Sequence, residues 1–80
     1  MPKSLRSPRQ QRLMDLLIAA RRAKGLTQAT LAVRLSKPQS YVAKYENGER
    51  RLDVIEFLDI TDTIGVDATH LLAALTEPTA

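Results

Sequence analysis

Three kinds of side chain in this 80-residue chain could do chemistry: one histidine, a row of carboxylates and a block of bases. His70 has no second histidine and no cysteine to share a metal with, so it reads as a packed or solvated residue. The carboxylates Asp53, Glu56, Asp59 and Asp62 recur at every third position. On a helix that spacing lines them along one face, which suits a solvated surface better than a paired acid and base. No nucleophile motif, glycine-rich phosphate loop or ligand cluster accompanies them. Catalysis is not expected, and neither is a metal nor any other cofactor.

The bases are distributed differently. All twelve Lys and Arg fall between Lys3 and Arg51, with only Asp15, Glu46 and Glu49 among them, a net +9. The remainder carries six acids and no base. A uniformly spread +3 would describe a solvated surface, whereas this segregation gives the molecule one end suited to a polyanion.

The elements that position these groups are helical. Composition, 44% hydrophobic and 26% charged, is that of a globular chain, and the length suffices for one modest core. The apolar run Leu16 to Ala20 is far shorter than the roughly 20 residues a membrane span needs. The opening MPKSLRSPR lacks a signal peptide's apolar core, so a cytoplasmic address is expected. Ser7-Pro8 reads as an N-cap followed by proline at the first helical position. Leu13, Leu16, Leu17, Ala20 and Ala23 form the inward stripe of that first helix, and Gly25 ends it. Thr27 caps a second helix with Leu31, Ala32 and Leu35 facing in. Pro38 cannot lie in a helix interior, so the second helix must stop before it and a third can begin there. The third runs from about Pro38 to Glu46 with Val42 and Tyr45 inward, and Asn47-Gly48 closes it. Asp53 caps a fourth helix carrying Val54, Phe57, Leu58, Ile60 and Ile64, which Gly65 stops. Asp67 caps a short fifth bearing Leu71, Leu72 and Leu75. Residues 1–7 are expected as a flexible basic arm, 8–75 as the folded domain and 76–80 as a frayed tail.

Two helices as short as the second and third bury too little to stand alone, so the other three must hold them. Within Gln28 to Val42 the chain resembles the helix-turn-helix of the phage-repressor and Cro type, the XRE-like bacterial regulators. The resemblance is carried by Gly25-Leu26-Thr27-Gln28, by the small Ala32, by the aliphatic Val42 and by the closing YENGERR of residues 45–51. It extends from the first helix through Leu72. Two positions depart from the family pattern. Ser36 stands where glycine is usual in the turn, and Pro38 stands where a capping Ser or Thr is usual.

The resemblance implies an all-α, five-helix domain that binds double-stranded DNA as a sequence-specific transcriptional regulator, a repressor by expectation. Gln39, Ser40 and Lys44 would face base edges. Gln can satisfy adenine N6 and N7 together, Lys can donate to guanine O6 or N7, and Ser is permissive. Thr27 and Gln28 would open the second helix beside a phosphate, with Gln28 also buttressing Gln39. Lys37, Tyr41, Asn47, Arg50 and Arg51 would grip or flank the backbone. Arg21 would pair with Glu46 to lock the reading helix to its scaffold. A homodimer on a two-fold site is expected, with recognition helices about 34 Å apart. The surplus apolar residues of helices four and five, Ile55 with Leu72 or Leu75, could form its contact. The rival reading is a protein-binding adaptor or antitoxin-like module of the same fold, working through the acidic helices.

Overall fold

The computed structural model describes residues 7–77; residues 1–6, with most of the expected arm, and residues 78–80 of the expected tail lie outside the described residues. Five helices follow in order: α1 Pro8–Ala23, α2 Gln28–Leu35, α3 Gln39–Glu46, α4 Val54–Ile64 and α5 Ala68–Thr76. No strand occurs among the described residues. The expected caps form where local chemistry dictated. Ser7, Thr27, Asp53 and Asp67 each accept a hydrogen bond from a backbone N–H of the turn that follows. At Asp53 the bond is reciprocated by Glu56, whose carboxylate accepts from the Asp53 N–H at 3.0 Å, completing a capping box. Thr76, placed in the tail by sequence, is the last residue of α5.

The α2–α3 turn settles both departures from the family pattern. Ser36 is the C-cap of α2 with φ 58° and ψ 41°, the left-handed conformation in which a Cβ is unfavourable. Pro38 itself is the N-cap of α3, just outside the helix rather than its first residue, and α3 has no side-chain cap.

Leu17, Leu26, Leu31, Ala32, Val42, Tyr45, Phe57, Ile60, Ile64 and Leu71 meet in the core, drawing at least one residue from each helix. Burying a large aliphatic or aromatic side chain of this kind contributes roughly 1.5–3 kcal/mol, which is what holds the two eight-residue helices in place. Three details differ from the helical stripes read in sequence. Met14 is buried in α1 while Ala23 is exposed, because the buried position near that end is taken by Arg21. Val54 and Leu58 lie outside the core of α4, where Thr61 is fully buried with its hydroxyl donated to the Leu58 carbonyl. Leu72 is 44% exposed, and only Leu71 of α5 is fully inside.

Candidate nucleic-acid interface

The fold sorts α3 into two faces. Val42, Tyr45 and Glu46 point inward, packed against α2 and α1. Gln39, Ser40 and Lys44 are all exposed, and Ser40 and Lys44 stand one turn apart on a common face. A polar edge is thus presented on a helix whose opposite edge is locked.

Much of that lock is ionic. Arg21 of α1 donates from Nε to Glu46 Oε2 at 2.8 Å and from Nη2 to Glu46 Oε1 at 3.1 Å, with side-chain exposures of 8% and 5%. Arg21 Nη1 also donates to the Leu26 carbonyl at 2.7 Å, so the same guanidinium holds the α1–α2 connection. The hydrogen bond to Glu46 raises the Arg21 pKa above its ordinary value, against the opposing effect of burial. Gln28 completes the arrangement by donating to Glu46 Oε1 at 3.0 Å. The side-chain partner of Gln28 is therefore Glu46, and the support of Gln39 expected from sequence is not formed. A buried carboxylate with one donor would be poorly satisfied; here three N–H groups converge on it.

A second cluster ties the outer flank of α3 to α4. Arg50 donates to both carboxylate oxygens of Glu56, at 3.1 and 2.6 Å, and its Nη1 also donates to the Arg51 carbonyl at 3.0 Å. Its guanidinium carbon lies 4.9 Å from the centroid of the Tyr41 ring, and Lys37 Nζ lies 5.4 Å from the same centroid. Tyr41 in turn meets the buried Tyr45 ring edge-on, with centroids 5.7 Å apart. The Arg50 hydrogen bonds and the Asp53 N–H hold the Glu56 carboxyl down to about 2. Burial, then the nearby Glu56 carboxylate, pushes the Tyr41 hydroxyl above its ordinary pKa. The paired role of Glu56 was missed in the row of acids, although the Asp-x-x-Glu spacing of Asp53 and Glu56 carries a capping-box signature.

The remaining predicted positions surround this face. Thr27 caps α2, accepting from the Thr30 N–H at 3.0 Å, and its hydroxyl also contacts that of Thr30. Lys37 is exposed at the turn before α3. Asn47 is the C-cap of α3 and donates to Glu49 at 2.6 Å. Arg51 is exposed in the α3–α4 connection. Arg9 and Arg12 lie in α1, where Arg12 donates to the Ala74 carbonyl.

Two short helices joined by a tight left-handed turn, the second displayed on a three-helix support, define a helix-turn-helix domain. Comparison with protein families matches the helix-turn-helix family over residues 17–71. Among solved structures, the chain is similar to an XRE-family like protein from Pseudomonas syringae pv. tomato str. DC3000. The two share 55% identity with a TM-score of 0.84, and the match covers 91% of this chain and 89% of that one. Comparison with curated proteins returns no match. The chain belongs to the XRE-type helix-turn-helix family, a family of DNA-binding transcription regulators.

Proposed function

We propose that this chain is a sequence-specific regulator that lays α3 in the major groove of duplex DNA and acts as a repressor by occupying its operator. The observation that carries this reading is the partition of α3, with Ser40 and Lys44 exposed on the edge opposite the buried Val42 and Tyr45 and Gln39 exposed at the first helical position. A helix so held can enter the groove without losing the contacts that keep it rigid. Gln39, Ser40 and Lys44 read base edges, each good contact contributing on the order of 1–3 kcal/mol of discrimination. Lys37, Asn47 and Arg51 position the domain on phosphates, and Thr27 and Gln28 present the N-terminus of α2 to the backbone. The net +9 of the segment from Lys3 to Arg51 supplies the attraction.

So short a reading surface covers only a few base pairs, which favours a homodimer on a two-fold site in the cytoplasm. Ile55, 65% exposed on α4, and Leu72 on α5 support these helices as its contact. Selection of bound duplexes from a random pool tests the function. Enrichment of one motif, with affinity falling steeply as salt rises, is expected. Recovery of an unenriched pool with salt-indifferent binding would favour the adaptor reading.

A further inference from the structure

Arg50 and Arg51 are adjacent, basic and placed on the same connection beside α3, yet their surroundings differ. The Arg50 guanidinium spends Nη1 and Nη2 on Glu56, shares Nη1 with the Arg51 carbonyl, and lies over the Tyr41 ring. Arg51 is exposed and forms no ion pair among the described residues. A guanidinium held bidentately by a carboxylate carries a locally neutralised charge and has few N–H groups left for a phosphate.

We propose that Arg50 is a positioning residue rather than a DNA ligand: anchored by Glu56 and Tyr41, it holds the Arg51 carbonyl and so presents Arg51 to a phosphate. This rests on the reading of α3 as the groove-binding helix. Glu56 thereby becomes an acid that favours binding to a polyanion. Its own field opposes that binding, so removing it should strengthen the complex on charge alone, whereas loss of the anchor weakens it.

The salt dependence of binding to a fixed duplex separates the possibilities, because each neutralised phosphate contributes about 0.9 to the log–log slope. Thermal unfolding of each variant first establishes that it is folded at the assay temperature. Arg51→Gln is expected to lower the slope by about 0.9. Arg50→Gln is expected to lower it by the same amount, and the double substitution by no more than either single one. Glu56→Gln is expected to weaken binding several-fold. Arg50→Lys, which keeps the charge but not the bidentate fork, should behave like Arg50→Gln. A double variant whose slope falls by about 1.8 would give Arg50 its own phosphate and overturn the proposal. So would an unchanged slope in Arg50→Gln or Arg51→Gln, or tighter binding by Glu56→Gln. A wild-type chain that binds no duplex would instead refute the DNA-binding reading itself.

Discussion

Arg21 and Glu46, 25 positions apart, meet through two hydrogen bonds of 2.8 and 3.1 Å with almost no solvent contact, joining the first helix to the end of the third. Removing one partner leaves the other charged and buried. Arg21→Met or Glu46→Gln is therefore expected to reduce unfolding free energy by about 3–5 kcal/mol in denaturant titrations. A double replacement, Arg21→Met with Glu46→Leu, should recover much of the loss, since no charge is left uncompensated. Single variants that cost less than about 1 kcal/mol, the range of exposed pairs, would show that the pair does not lock α3.

Ser36 holds the α2–α3 turn at φ 58°, where a side chain is disfavoured. Ser36→Gly should raise stability by roughly 1 kcal/mol, less a few tenths for the looser unfolded chain. The urea midpoint checks this, and a lower midpoint for the glycine variant would mean that the Ser36 side chain contributes something the left-handed backbone does not reveal.

How much of this was legible in the sequence follows from how local each determinant is. Ser7, Thr27, Asp53 and Asp67 announce helix starts because a cap needs only the next turn. Gly65, at φ 89°, announces a stop for the same reason. The Arg21–Glu46 pair was reached through family resemblance, since no periodicity links residues so far apart. Gln28 opens α2 as read, but its amide, read as a support for Gln39, turns to Glu46 because that carboxylate is buried within reach, which only packing decides. Arg50 was read with Arg51 as gripping or flanking the DNA backbone, and its pairing with Glu56 forms only because the chain turns back and brings that carboxylate to it. Thr61 was invisible as a core residue because its hydroxyl is satisfied by its own helix at Leu58.

Acid should expose the Glu56 anchor. Its carboxyl, ordinarily near 4.5, is held at about 2 in the fold, chiefly by Arg50. A carboxyl with a depressed folded pKa stabilises the protein above the unfolded value and loses that contribution as protons bind in the fold. The melting-temperature difference between wild type and Glu56→Gln should therefore narrow as pH falls from about 4.5 to about 2. Glu56 is partly exposed, so the difference will be modest. A gap that stays constant across this range would contradict the role assigned to Arg50.

Ile55 on α4 is expected to lie in the contact between two copies. Sedimentation at micromolar concentration should show wild type as a dimer and Ile55→Asp as a monomer, because burying an unpaired carboxylate in an apolar contact is unfavourable. The same distribution for both proteins would remove Ile55 from the contact.

The most direct test of α3 as a reading helix is the affinity of Gln39→Ala and Lys44→Ala for the selected duplex and for each of its single-base variants. Each substitution should flatten discrimination at its own base positions by on the order of 1–3 kcal/mol and leave preferences elsewhere intact. A uniform loss of affinity on every duplex, with the ranking of bases unchanged, would contradict direct base reading by these residues.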